Sequence, residues 1–189
     1  MAYSNNSLTV GKLRGSLGKE LVFRDWDGKT VVAKSPKRRK TDPTAKQLVV
    51  LDKFELASQY AIGIMNGTDQ ALLQAYEDSR KKRQNLYSRI MQDYLKPPVV
   101  KIINTRDYTG AVGSTISILA KDDFKIKRVI VEIHAANGTL LETGNAVLDP
   151  NNVSWTYTAT QANDPLTGSK IKAIAIDIPN NEGMLEITL

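Results

Sequence analysis

Three regimes of apolar spacing divide the chain. Residues 1–43 open polar and then carry short apolar and charged runs. In 44–96 apolar residues recur every three or four positions, and in 97–189 they recur every second position. The first regime contains Glu20-Leu21-Val22-Phe23-Arg24-Asp25-Trp26, then Asp27-Gly28, then Lys29-Thr30-Val31-Val32-Ala33-Lys34. Two β-prone runs around Asp-Gly predict a hairpin, because a type I′ turn needs positive φ at both central residues. Pro36 ends the second strand. A lone two-stranded hairpin is marginal in water, and it would leave Leu21, Phe23, Trp26, Val31 and Val32 largely exposed. Those five residues are therefore the expected contact with another molecule, with the rest of the chain, or with both. Two strand edges also suit such an arm to pair with a neighbour's sheet.

The second regime predicts helices. Asp42-Pro43-Thr44, followed by Lys46 and Gln47, is a helix start. Leu48, Leu51, Phe54, Ala57, Ala61 and Ile64 then mark one helical face, and Asn66-Gly67 ends it. Thr68 or Asp69 can cap a second helix through Leu72, Leu73, Ala75 and Tyr76. Asn85 can cap a third, with Leu86, Tyr87, Ile90, Met91 and Tyr94 on its apolar side. Pro97-Pro98 stops that helix and forms a stiff linker.

The third regime predicts seven strands: Val99–Asn104, Thr115–Ala120, Lys127–Ala135, Thr139–Thr143, Val153–Thr158, Lys170–Asp177 and Met184–Leu189. Asn137-Gly138 reads as a tight hairpin turn between the third and fourth. Seven short strands in about ninety residues is the size and count of an immunoglobulin-type sandwich. The expected fold is thus α+β: an N-terminal β-hairpin arm (1–43), a short helical bundle (44–96) and a seven-stranded Ig-like β-sandwich (97–189).

Particular segments add a resemblance. Thr109-Gly110-Ala111-Val112-Gly113-Ser114-Thr115-Ile116, Ala120-Lys121-Asp122-Asp123-Phe124, residues 131–138, Trp155-Thr156-Tyr157-Thr158-Ala159-Thr160 and Ala175-Ile176-Asp177 resemble bacterial Ig-like modules. Gly11-Lys12-Leu13-Arg14-Gly15-Ser16-Leu17-Gly18, with Phe23-Arg24 and Gly28-Lys29-Thr30-Val31-Val32, looks like the start of a Bacteroidota-type family. In that family a basic arm and a helical stretch precede an Ig-like end. The resemblance implies architecture; such modules host many unrelated roles. Small Ig-like domains are common in surface, phage-virion and filament proteins, so it favours a structural role by analogy.

Charge is unevenly placed. The net +6 resolves into 18 Lys/Arg against 10 Asp/Glu in residues 1–96, and 8 against 10 in the remainder. The first half is therefore expected to meet something acidic. Lys34, Lys37, Arg38, Arg39 and Lys40 form the densest run, a candidate contact for nucleic acid or an acidic protein surface; the alternative is a solvated linker. Arg80-Lys81-Lys82-Arg83 suits a helix C-terminus. Gly11, Gly15 and Gly18 do not have phosphate-loop spacing.

Catalysis finds little support. There is no cysteine, and His134 is the single histidine. Glu132 lies two residues before it on the same strand face, yet no Gly-x-Ser-x-Gly elbow accompanies them. Asp122-Asp123, Asn163-Asp164 and Asp177 are candidate calcium oxygens, although turns use Asp and Asn for their own hydrogen bonds. No catalytic residue, metal site or cofactor is expected. No apolar run reaches membrane-spanning length, and no signal peptide is visible, so synthesis in the cytoplasm is expected, with a virion or extracellular assembly as a further destination.

The leading expectation is a non-enzymatic structural protein that self-assembles through its arm into a filament, sheath or phage-like virion component, with copies of itself as partners. The alternatives are a nucleic-acid-binding protein that uses the basic arm, and a surface- or carbohydrate-binding Ig-like module displaying Trp155, Tyr157, Tyr108 and Phe124.

Overall fold

Turn and cap residues set the element boundaries in the computed structural model. It describes residues 2–4, 13–26, 29–37 and 41–189, with the backbone alone for Ala2–Ser4 and Trp26. The chain divides into two compact units, Met1–Val50 and Leu51–Leu189.

In the first unit, β1 (Ala2–Ser4), β2 (Gly15–Leu17), β3 (Leu21–Trp26) and β4 (Lys29–Lys34) form an antiparallel sheet in the order β1-β4-β3-β2. The hairpin expected from the Asp-Gly signal is β3–β4, in register from Leu21↔Lys34 to Trp26↔Lys29; Asp27 and Gly28 themselves lie outside the described residues. The expectation of a lone two-stranded arm is corrected by β1 and β2, which flank the hairpin on both sides. β2 joins β3 through Gly18 and Lys19, both at positive φ, with the Glu20 N–H donating to the Leu17 carbonyl at 3.1 Å. Gly18 takes this conformation without a Cβ clash, whereas Lys19 adopts it against its preference. Central strands gain cover from their neighbours, so Thr30 and Val31 are buried rather than exposed.

Helix α1 (Ala45–Asn66) starts in the first unit, and the unit boundary falls within it. Thr44 and Gln47 form a reciprocal cap: the Gln47 N–H donates to Thr44 Oγ1 and the Thr44 N–H to Gln47 Oε1. Helix α2 (Gln70–Asp78) is capped by Asp69, whose carboxylate accepts from the Leu72 N–H at 2.9 Å. Helix α3 (Leu86–Leu95) is capped by Asn85, which accepts from the Ser88 N–H at 2.7 Å.

The strands of the second unit are β5 (Val99–Asn104), β6 (Thr115–Lys121), β7 (Ile126–His134), β8 (Leu140–Leu148), β9 (Ser154–Thr158), β10 (Lys170–Asp177) and β11 (Glu182–Thr188). They pair antiparallel in the order β11-β10-β7-β8-β9-β6-β5. β8 runs longer than the alternation predicted and changes partner along its length. Leu140–Ala146 pairs with β7, then Val147 and Leu148 pair with β9. The sheet curls around one core in which Ile116, Ile118, Val129, Val131, Ile133 and Ile171 are fully buried. Curling brings the edges β11 and β5 together into a nearly barrel-shaped, α+β unit. Among the described residues, no helix is long and apolar enough to cross a membrane.

Gly183 marks the tightest point of that closure. A Cβ there would fall inside the contact radius of the Pro98 carbonyl oxygen and against the Val99 nitrogen. Backbone cannot swing aside as a side-chain tip can. Gly183→Ala is therefore expected to destabilise the protein by ~2–3 kcal/mol, read as a lowered urea midpoint at unchanged slope. A midpoint within error of the parent would mean that β11 and β5 do not close here.

Candidate functional site

Helix α3 presents Leu86, Arg89, Ile90 and Asp93 along one stripe, and Arg89, Ile90 and Asp93 are buried. A guanidinium and a carboxylate inside an apolar stripe must find partners, since an unpaired buried charge costs several kcal/mol. Arg89 Nε donates to Ser79 Oγ at 2.9 Å. Its Nη1 reaches Asp123 Oδ2 at 3.2 Å and its Nη2 the Asp123 carbonyl at 2.9 Å. Gln92 Nε2 and Lys96 Nζ complete the Asp123 carboxylate at 2.6 and 2.8 Å. These donors, the Lys96 hydrogen bond foremost, hold the Asp123 pKa below the usual carboxylate range.

Next in the chain, Phe124 stacks on Tyr76 with ring centroids 4.1 Å apart, and the Arg89 guanidinium lies 5.3 Å from the Phe124 centroid. The Tyr76 hydroxyl donates to Asp93 Oδ2 at 2.7 Å and contacts the Tyr60 hydroxyl at 3.5 Å. Asp93 Oδ1 is buried without a hydrogen-bond partner. Burial, aided by the Asp122 and Asp177 charges, pushes the Asp93 pKa up to about 7 against the pull of Tyr76. Burial also raises Tyr76 and Tyr60, which stay protonated as donors. From β10, Asp177 accepts from the Asn181 N–H and side-chain amide, and that amide also donates to the Tyr94 carbonyl at 3.0 Å. The network joins all three helices to the β6–β7 loop and the β10–β11 turn. Asp93 is fully buried, so its role is positional.

Three of the four aspartates offered for calcium are engaged otherwise. Asp123 meets cations, Asp122 Oδ2 accepts from the Phe124 N–H, and Asp177 closes its own turn. Asn163 spans Tyr108 and Ser169 instead, at 3.1 Å each. Among the described residues, no three His, Asp or Glu side chains gather to hold a metal. Glu132 lies 3.2 Å from Lys172 and 3.7 Å from His134, on the outer face of the sheet.

The candidate arm residues divide between faces. Phe23 opposes Val32, with Leu21 on the same face, while Val31 opposes Arg24 on the other. Trp26 pairs with Lys29 at the hairpin end. Lys34 and Lys37 are exposed; Arg38, Arg39 and Lys40 lie outside the described residues. Arg80 pairs with Glu77 and also donates to the Gln84 carbonyl, so part of the second basic cluster organises the α2–α3 linker.

Helix α1 departs most from expectation. Of its expected core stripe only Ala57 and Ala61 are buried. Within the second unit, Leu51, Phe54, Leu56 and Ile62 are 51, 51, 52 and 50% exposed, and Met65 is exposed too. Leu48, Val49 and Val50 are exposed in the first unit. Between α1 and α3, Phe54, Met91 and Leu95 line a groove of about 350 Å³ with Ser88, Gln92 and Lys96. The run Leu48-Val49-Val50-Leu51 already signalled this, since four consecutive apolar residues cannot all lie on one stripe.

No family model matches the chain. Over 133 residues it is 28% identical to a 2-succinyl-5-enolpyruvyl-6-hydroxy-3-cyclohexene-1-carboxylate synthase of Prochlorococcus marinus (strain MIT 9515), covering 70% of this chain and 18% of that protein. The chain thus spans less than a fifth of the length of the curated relative it matches. Among solved structures, an engineered protein aligns over 48% of this chain and 18% of its own, at 21% identity and a TM-score of 0.32.

Two of the three carboxylates of the network, Asp123 and Asp93, act on stability with opposite signs; Asp177, raised by burial, acts in the same sense as Asp93. Asp123, lowered in the fold, contributes stability that is present above the unfolded pKa near 4 and is lost as pH falls toward its folded pKa. Asp93, raised to about 7, keeps its proton in the fold where the unfolded chain has released it, so stability falls as pH rises from about 4 to about 7. The melting temperature is expected to peak in mild acid and decline toward neutrality. Asp93→Asn, which keeps an oxygen acceptor for Tyr76, should flatten that decline in thermal melts. Parallel curves for the two proteins would exclude Asp93 as the group responsible.

Proposed function

We propose that this chain is a non-enzymatic structural subunit that assembles with copies of itself, and that its C-terminal portion is an Ig-like β-sandwich serving as the displayed or packed module. The sandwich reading rests on β8, which hands over from β7 to β9 and so links a β11-β10-β7 layer to a β9-β6-β5 layer, as connecting strands do in Ig-type topologies.

The observation that carries the assembly reading is the apolar surface of α1. Leu51, Phe54, Ile62 and Met65 recur at helical spacing on one side of α1 and are all exposed, and Leu56 is exposed on another side. An exposed apolar stripe is a candidate contact surface, and a second copy's α1 is equally apolar, so a self-complementary contact buries both. The arm adds a second kind of contact, because β1 and β2 are edge strands of their sheet among the described residues. Two different adhesive elements on one chain suit an open polymer such as a filament, sheath or virion layer, whereas one self-complementary contact alone closes as a dimer.

Leu51→Glu/Phe54→Glu is expected to convert the assembled species to monomer in sedimentation velocity, with a circular dichroism spectrum like the parent's. Removal of residues 1–35 is expected to leave α1-mediated dimers and abolish larger species. A parent protein that sediments as a monomer at high concentration would refute the reading.

A further inference from the structure

A second feature of the C-terminal unit is unrelated to α1. Where β6 runs into the 122–125 loop and β8 turns into β9, a cleft of about 620 Å³ opens, within the range of small-molecule sites. Its walls are apolar, from Leu119, Leu148 and Val153, with Trp155 among them. Three lysines rim it: Lys101 from β5, Lys121 from the end of β6 and Lys125 from the loop.

These lysines differ from the ion-paired cations of the same unit. Arg89 and Lys96 are paired with Asp123, Lys170 with Glu186 and Lys172 with Glu132. Among the described residues, Lys101, Lys121 and Lys125 have no carboxylate within ion-pair distance; Lys125 lies only over the Phe124 ring, at 5.3 Å. The single acid lining the cleft, Asp122, is turned to the Phe124 N–H through Oδ2 and buried at Oδ1. Three lysines and one aspartate thus line an apolar hollow, and lysine stems can themselves cover apolar surface.

We propose that this cleft binds a small organic anion, a carboxylate, sulfonate or phosphate carried on an apolar body. The chemistry selects that class from both sides. An inorganic anion leaves the wall of Leu119, Val153 and Trp155 unused, and a neutral apolar molecule leaves three like charges uncompensated. A ligand with both parts lowers the mutual repulsion of the lysines and removes apolar surface from water at once.

The test uses the full chain with 8-anilinonaphthalene-1-sulfonate as the anionic probe and N-phenyl-1-naphthylamine as its neutral counterpart. Trp26→Phe leaves Trp155 as the only tryptophan, so quenching of its emission reports occupancy. The sulfonate is expected to quench Trp155 saturably, to bind at least about tenfold tighter than the neutral amine, and to weaken with added salt. Lys121→Glu/Lys125→Glu should weaken sulfonate binding by about tenfold and leave the amine unchanged, while Leu51→Glu/Phe54→Glu should change neither. If the charge-reversed protein does not fold, Lys121→Gln/Lys125→Gln takes its place, with an expected loss of about threefold. Absence of quenching, equal binding of the two probes, indifference to the lysine substitutions, or loss of binding in the α1 variant would each overturn the assignment. None of these results depends on whether the chain self-assembles.

Discussion

The Arg89 guanidinium is the constraint on which the C-terminal unit depends. It is almost wholly buried, and a buried charge holds only where its donors are met. The requirement is satisfied by Ser79 at the end of α2 and by two oxygens of Asp123 in the loop leaving β6. Helices and sheet are thereby fastened by one side chain with three bonds in fixed directions. Phe124, held beside Asp123, then reaches Tyr76, and Tyr76 reaches Asp93. Apolar packing alone would tolerate rotation of α3 by a fraction of a turn; the planar guanidinium does not.

The same junction limits what the helices can bury. α2 and α3 spend their inward faces on the network and on the small cluster of Ala61, Tyr76 and Ile90. α1 reaches that cluster through Ala61, Tyr60 and Ile64, while Leu51, Phe54, Leu56, Ile62 and Met65 stay outside. The lysine-rimmed cleft lies on other elements, β5, β6 and the β8–β9 connection, and its chemistry is that of recognition rather than of cohesion.

Much of the local structure was legible because it depends on neighbours in sequence. The helix starts at Thr44, Asp69 and Asn85 follow from side chains that satisfy free N–H groups three residues on. The strands follow from period-two alternation and from turns such as Asn137-Gly138. The β2–β3 hairpin escaped because Gly18-Lys19 lacks the Asn-Gly or Asp-Gly signature, and Lys19 takes positive φ only in context. Arg89 and Asp93 escaped for a related reason. Four residues apart on a helix they look like an ordinary surface pair, and only the arrival of Asp123 and Tyr76 from distant positions makes them interior.

The sequence by itself therefore determined the helices, their caps and the strands from β3 on, because those are set by backbone hydrogen bonding and side-chain spacing within a few residues. Which apolar faces are covered was decided by tertiary structure, since burial depends on what else competes for the same surface. Leu51 and Phe54 share a stripe with Ala57 and Ala61, yet only the alanines find cover. The gathering of Lys101, Lys121 and Lys125 near Trp155 was likewise decided there, by the pairing of β9, β6 and β5 as neighbours and the loop that follows β6.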